Sequence, residues 1–498
     1  MTRQLVIADH VVTGFETDGT PHIIEDGAIL VEGDRIVEVG LASALRRAHP
    51  GLPEVGGKDR VAIPGLINAH HHVGLTPFQM GARDQPLELW FSERLAMREL
   101  DIRLDTLYSA FEMIASGVTT VQHLHSRAPG DTDAVLTCAD KIIGAYRDLG
   151  MRASYSFALR DQNRIIYASD EEFVSSLPES LRKPTADYLA GFGLPLAEQI
   201  AVFHTLRLCW QNDPLIGIQI APSNLHWLSD LALESAARMA EETNAPMHMH
   251  LLETPYQKEY AYRRTGGSAL EYLDRFGLIG PQLTIGHGVW MTSDDLALVA
   301  ERGACLCHNC SSNLRLKSGT ADLSAFLNTG VPVALGIDEA GLNDDRDMLQ
   351  EMRLALTLHR PAGHGAPCPE ASQILRMATE HGAATTPFRG QIGRLAPGLL
   401  ADIVLLDWRA VTWPWQDPEI PLIDVLVRRA RPSAVATVMI GGDVVYEENR
   451  FVRVDREAVL ETIARDLGQP ETDVDARMRQ LSRGLIGPVS KFYRNWLV

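Results

Sequence analysis

The sequence predicts an α/β protein: a closed (β/α)8, TIM-like barrel with a small β-sandwich domain formed from both chain ends. Three observations carry this. Eight short apolar, β-prone runs alternate with helix-length periodic segments: around Ile63–Val73, Val118–His125, Arg152–Leu159, Leu215–Ala221, Ala245–Leu252, Leu283–Trp290, Ala304–Cys310 and Val331–Ile337. β-rich text flanks them, "RQLVIADHVVTG" and "DGAILVEGDRIVEVG" before, "ADIVLLDW" and "SAVATVMIGGDVVYEENRFV" after. Histidines and acids close several of the runs, where a barrel gathers its chemistry.

Short continuous apolar runs are strands buried on both faces, and helical text between them, such as "DLALESAARMAEETN" and "SDDLALVAERG", makes the sheet parallel. Eight repeats close it. The alternative, an open doubly wound sheet, would carry a glycine-rich nucleotide loop after an early strand, and none is apparent. The expected division is residues 1–62 with 391–455 as the β domain, 63–390 as the barrel, and 456–498 as a C-terminal helical extension. Residues 160–199 follow the third run and exceed the usual βα connection. They read equally as a lid over the barrel mouth or as an insertion with no catalytic role.

Among the 498 residues, 45% are hydrophobic and 22% charged, as in ordinary globular proteins. A net charge of −18 disfavours phosphate backbones and anionic membranes. No apolar run approaches the length of a membrane span. The opening "MTRQLVIADHVVTGF" meets Asp9 and His10 too early for a secretion leader. Six cysteines in so long a chain do not form a disulfide framework. The expectation is a cytoplasmic protein acting on a small-molecule substrate, a homo-oligomer (dimer or higher), with neither nucleic acid nor membrane as partner.

The stretch "PGLINAHHHVG" places His70, His71 and His72 in a row. Strand side chains alternate, so His70 and His72 share one face and His71 takes the other. If the strand ends near Val73, the pair faces the barrel mouth. His250 and Glu253 end the fifth run, His287 the sixth and Asp338 the eighth. In a barrel these ends converge, and three imidazoles with one carboxylate suit Zn²⁺ or Fe²⁺.

The order HxH, HxxE, H, D, framed by "IPGLINAHHH", "DQPLELWF", "ASGVTTV", "HLLET", "GHGVWMT", "NCSSNLRLKSG", "LGIDEAGLNDDRDMLQEMR" and "IGRLAPGLLADIVLLD", resembles the amidohydrolase superfamily in its cytosine-deaminase-like and triazine-hydrolase (chlorohydrolase) branch. The resemblance runs from about Gln4 to Val454. It implies His70, His72, His250 and Asp338 as metal ligands, Glu253 as proton shuttle and His287 as the group orienting water or intermediate, with Asp338 also taking a catalytic part. It implies one divalent metal, Zn²⁺ with Fe²⁺ as the alternative. A carboxylated lysine bridging two metals, as many members have, finds no counterpart, because between Ser126 and Met247 only Lys141, in a helical pattern, and Lys183, in a loop beside Pro184, occur. The implied activity is hydrolytic deamination of an amino-substituted N-heteroaromatic ring (purine, pterin, pyrimidine or triazine) by metal-bound hydroxide. The alternatives are hydrolysis of a C–Cl, N-alkylamine, urea or amide bond at the same site, and a non-catalytic barrel scaffold.

Other motifs compete less well. "CLCHNC" has the spacing of one zinc-knuckle half but lacks the second, so its cysteines read as structural. In "VQHLHS", His123 and His125 are read equally as substrate contacts or core groups, and least as a second metal pair. His248 reads as a packed core histidine. Arg160, His308 and Asn309 are candidate substrate contacts, a salt bridge being the commoner fate of an arginine such as Arg160. Two departures from the family pattern lead away from a standard adenosine-type deaminase: Glu339 after Asp338 where Gly or Ser is usual, and "APSNLHW" in place of a Pro-His after the fourth strand.

Overall fold

A computed structural model describes residues 2–72, 74–126 and 130–497. Val73, the expected end of the first barrel strand, lies outside the described residues.

The chain opens with β1 (Arg3–Phe15), β2 (Pro21–Glu32), β3 (Arg35–Leu41) and β4 (Glu54–Pro64), and returns at β14 (Ile403–Asp407), β15 (Val435–Ile440), β16 (Asp443–Glu447) and β17 (Arg450–Phe451). These form one sheet in the order β17-β16-β15-β14-β4-β1-β2-β3. Its seam is the antiparallel pair β14/β4, with Ile403 opposite Pro64 and Asp407 opposite Arg60. The sheet curls: Val6, Ile29, Val31 and Ile36 share a core with Ile403, Leu405 and Met439. An antiparallel bridge ties Arg35, in the edge strand β3, to Leu400, just before the interior strand β14. Two distant pieces of chain thus make the expected sandwich-like domain.

Between them lie the barrel strands β5 (Leu66–His71), β6 (Val118–His125), β7 (Arg152–Leu159), β8 (Ile216–Ile218), β9 (Ala221–Pro222), β10 (Met247–Leu251), β11 (Leu283–His287), β12 (Cys305–His308) and β13 (Val333–Leu335). All eight expected runs contain strand. The fourth splits into β8 and β9, and Ile220 between them turns to bridge Met247 of the next strand. The pairs are parallel, β5-β6-β7-β8 and β10-β11-β12-β13. Two parallel bridges, Ile220 with Met247 and His71 with Asp338, join the two halves into a barrel.

The connection after β7 differs from the sequence reading at Lys183. Instead of a loop, Glu179–Ala190 is helical through Pro184. The proline leaves the carbonyl of Ser180 without a helical partner, and Ser180 is exposed, so water can take its place. The C-terminal helix Asp473–Tyr493 lies against this connection, with Leu481, Leu485 and Val489 packed on Ile166, Phe173 and Leu177.

One buried ion pair fastens the barrel to the β domain. Arg152, first residue of β7, donates from Nε and Nη2 to the two carboxylate oxygens of Asp402 at 2.9 and 3.0 Å. Asp402 Oδ1 also accepts from the backbone of Gly441 at 2.8 Å. Removing one partner strands a charge in the interior. Asp402→Ala is therefore expected to cost about 3–5 kcal/mol in urea unfolding, and Arg152→Met in the same chain to recover much of it. A single-variant loss below about 1 kcal/mol would contradict the assignment.

Candidate active site

The strand ends deliver their side chains as alternation requires. His70 and His72 point into the mouth, while His71 turns outward to Ser109 Oγ at 3.2 Å. His72 Nε2 stands 3.0 Å from His70 Nε2 and 3.0 Å from His250 Nε2. Asp338 Oδ1 lies 3.2 Å from His72 Nε2 and 3.5 Å from His70 Nε2. His287 Nε2 is 3.7 Å from Asp338 Oδ2. All five are buried or nearly so. His287 and Asp338 have left-handed backbones, with φ of 70° and 62°, a conformation that costs non-glycine residues and collects at functional sites.

The donor set fits a divalent metal. His72 Nδ1 faces the carbonyl of Leu124 at 2.6 Å and His250 Nδ1 that of Ser223 at 2.8 Å. A carbonyl only accepts, so each Nδ1 carries the proton and each Nε2 presents a lone pair. Lone pairs aimed at one point 3.0 Å apart, beside a carboxylate, call for a cation between them. Burial, then the neighbouring imidazoles, hold His70 and His250 well below the usual histidine range, which keeps them neutral. For Asp338, burial works upward, but His72 outweighs it and the carboxyl is held well below its usual range. Burial works downward on His72, and the same Asp338 contact outweighs it to leave the imidazole raised.

Glu253 is buried behind this point, 3.7 Å from His287 Nδ1. Burial raises its carboxyl above the usual range, opposed by His287. The segment "NCSSNLRLKS" fixes the surrounding groups one by one. Asn309 Nδ2 donates to His287 Nε2 at 3.3 Å and Asn313 Oδ1 faces His287 Nδ1 at 2.8 Å. Ser312 donates to Asp338 Oδ2 at 2.5 Å, and Ser318 to Glu253 Oε1 at 3.2 Å.

The pocket above encloses about 430 Å³, its mouth included, with His72, His250, Glu253, His287 and Asp338 at its base. Trp90, Phe91 and Trp227 supply aromatic walls, and Arg160 lies 3.7 Å from the Trp227 ring centroid. A planar ring fits between such walls. Phe91, Arg94, Ser126 and Arg160 also line a larger outer cavity, whose far wall includes Tyr188, Phe192 and Leu485. The connection after β7 and the C-terminal helix thus cover the mouth.

Not every candidate converges. His123 Nδ1 faces Tyr146 Oη at 2.8 Å and His125 Nδ1 faces Tyr155 Oη at 3.1 Å, and neither is among the described pocket walls. His308 pairs with His359 at 2.8 Å, behind the site. Asn309 acts on His287 rather than on the pocket. Lys141 and Lys183 are exposed and paired with Asp101 and Asp187. Cys307 bonds Asn309, and all six cysteines are free. His248, read from sequence as core, faces His70 Nδ1 with its Nε2 at 2.8 Å and so orients that ring. In "APSNLHW", Asn224 and Trp227 reach the pocket while His226 packs on Tyr167.

A family model, the amidohydrolase family, matches residues 61–445. The chain belongs to this family. A second model, the bacterial imidazolonepropionase-like composite domain, matches residues 27–51 in the β domain. A 5-methylthioadenosine/S-adenosylhomocysteine deaminase of Syntrophobacter fumaroxidans is 31% identical over 467 residues, 92% of this chain and 96% of that one. An adenosine deaminase from Xanthomonas campestris with bound zinc superposes with a TM-score of 0.76 at 25% identity, covering 96% of this chain and 99% of that one. An atrazine chlorohydrolase from Arthrobacter aurescens TC1, also with zinc, has a TM-score of 0.78 at 23% identity, over 93% and 99%, and shares the fold.

Two outcomes follow for this amidohydrolase. Partners that orient a metal-binding histidine typically contribute about 10–100-fold in metal affinity. His248→Phe should weaken zinc binding by that factor in chelator competition, and unchanged affinity would return His248 to the core. Glu88 accepts from Tyr167 Oη at 3.0 Å and from Thr254 Oγ1 at 2.5 Å. Burial pushes its carboxyl up from 4.5 to about 7. The folded state then keeps its proton where the unfolded state has lost it, so this group's contribution to stability falls as pH rises from about 4.5 to about 7. Glu88→Gln should leave stability unchanged at acid pH and raise it by about 3 kcal/mol above pH 7 in urea unfolding. Equal effects at both pH values would contradict this.

Proposed function

We propose that this chain is a metal-dependent aminohydrolase that removes the exocyclic amine of a purine-type ring. The observation that carries the reading is the meeting of His70, His72, His250 and Asp338 with Glu253 and His287 under an aromatic-walled pocket. The deaminase relatives support the purine ring, and the Trp90, Phe91 and Trp227 walls suit it.

In this reading His70, His72, His250 and Asp338 hold one divalent ion, zinc first and iron(II) second. When bound, the ion would acidify water to near pKa 7 and polarise the reacting centre. The ionised Asp338 takes a proton from the attacking water. Glu253, its carboxyl raised by burial, carries a proton to a ring nitrogen or to the departing amine. His287, held by Asn309 and Asn313, steadies the oxygen arriving at the ring. The departures at Glu339 and at Asn224–Trp227 alter the walls around the ring, and the relatives' nucleoside parts are not carried over.

The reading includes a cytoplasmic setting and a homo-oligomer. The six free cysteines support the first. Trp413, Trp415 and Ile420, exposed along one segment, support the second. Among the described residues no helix is long and apolar enough to cross a membrane.

The test is a panel of amino-purines, free and as nucleosides, with pterin, pyrimidine and triazine controls, assayed for ammonia on zinc-loaded protein. Ammonia from a purine is expected, with Glu253→Gln lowering kcat by about 100-fold or more at unchanged metal content. Loaded protein that releases ammonia from no ring would overturn the proposal.

A further inference from the structure

The stretch "CLCHNC" has no part in the chemistry above, yet its second half meets a residue from much later in the chain. On β12, Cys307 packs into the barrel interior with Ala69 and Ala334, so alternation sends His308 outward to the helical layer. There His308 Nε2 lies 2.8 Å from the Nε2 of His359, the residue that caps the helix Met348–Leu358. Cys310 opens the helix Cys310–Arg315 and brings its thiol to the same place. One ligand atom from each of the three lies within 4.8 Å of the others. The C-x-x-C pair is thus split, and a His–Cys–His cluster forms instead. His308 and Cys310 are buried, and His359 is the one nearest the surface.

We propose that His308, Cys310 and His359 form a second zinc site, weaker than the four-ligand one, whose filling slows the active centre. Imidazole and thiolate suit zinc, whereas magnesium, calcium and manganese prefer oxygen. As the rings stand, one donates to the other. Tetrahedral zinc holds two nitrogens about 3.3 Å apart, so the rings need to part by only about 0.5 Å. On binding, the donating ring moves its proton from Nε2 to Nδ1 and the Cys310 thiol releases its own, one proton per ion. Bound through Nε2, His308 carries its proton on Nδ1, which is buried without a partner among the described residues. His72 and His250 each have a carbonyl at that position. Such partners typically contribute about 10–100-fold in metal affinity, and the cluster brings three protein ligands rather than four. The first equivalent of metal therefore goes to His70, His72, His250 and Asp338, and the cluster fills only beyond it.

The link to the active centre runs through the residues between and beside these ligands. Asn309, between His308 and Cys310, donates to His287 Nε2 at 3.3 Å. Ser312 donates to Asp338 Oδ2, and Asn313 Oδ1 faces His287 Nδ1. Drawing His308 and Cys310 onto one ion shifts this segment, and small misplacements of groups beside the reacting centre slow turnover. The effect on turnover rests on the aminohydrolase reading above; the binding does not.

The experiment titrates Co²⁺ into protein already carrying one equivalent of zinc. A near-ultraviolet thiolate-to-cobalt charge-transfer band should saturate at one further equivalent; cobalt exchanged into the nitrogen–oxygen site gives no such band. Cys310→Ser and His359→Leu, each retaining its first zinc, should lack it. No band in wild type at large excess of cobalt overturns the inference, as does a band that survives in Cys310→Ser, which places the ion at another cysteine. A second equivalent of zinc should lower wild-type kcat by about 10-fold and leave kcat of Cys310→Ser unresponsive. The band with an unchanged wild-type kcat overturns the restraint on the active centre. Protein with one zinc that releases ammonia from no ring overturns the aminohydrolase reading and the restraint with it, while the band still decides the site.

Discussion

The site depends on the seam between the first and last barrel strands. There the backbone N–H of Asp338 donates to the carbonyl of His70 at 2.8 Å, and His71 bridges Asp338 in parallel register. This closure sets the Asp338 carboxylate beside two imidazoles that lie some 270 residues earlier in the chain. A one-residue slip at the seam would turn His70 and His72 outward and bring His71 in, because strand side chains alternate. The chemistry therefore rests on a backbone hydrogen bond that no side-chain motif specifies.

Around that seam the protein builds a cluster that is unfavourable alone. Buried imidazole nitrogens crowd one another and a carboxylate, and two residues sit in left-handed backbone regions. Carbonyls of Leu124 and Ser223 fix two rings and His248 a third. Ser312 and Asn313, from the segment after β12, hold Asp338 and His287. Such preorganisation places donors where charge will develop, at a cost met by the packed barrel around them.

Much of this was legible in the sequence. The eight apolar runs are local signals and each contains strand. The HxH pair obeyed period two, so the outward turn of His71 followed without coordinates. What escaped depends on contacts between distant segments. His248 lies on the same strand as His250, and its pairing with His70 requires knowing which strands adjoin across the barrel. The aromatic walls from Trp90, Phe91 and Trp227 come from short helical turns in two strand-to-helix connections, and aromatic residues there are ambiguous until packed. Lys183 lies in a helix although Pro184 is a strong helix breaker, because Ser180 is exposed and its carbonyl is open to solvent. Glu339 was visible as an anomaly, but its Arg94 partner was not, since nothing in the spacing links residues 94 and 339.

The central claim is that three imidazoles and one carboxylate, with no thiolate, surround one ion. X-ray absorption at the metal edge of the purified protein tests it most directly. The account predicts one zinc or iron per chain with only nitrogen and oxygen neighbours at about 2.0–2.2 Å and multiple-scattering features of three imidazoles. A sulfur neighbour at about 2.3 Å would contradict it and move the metal to the cysteine-rich stretch around Cys310.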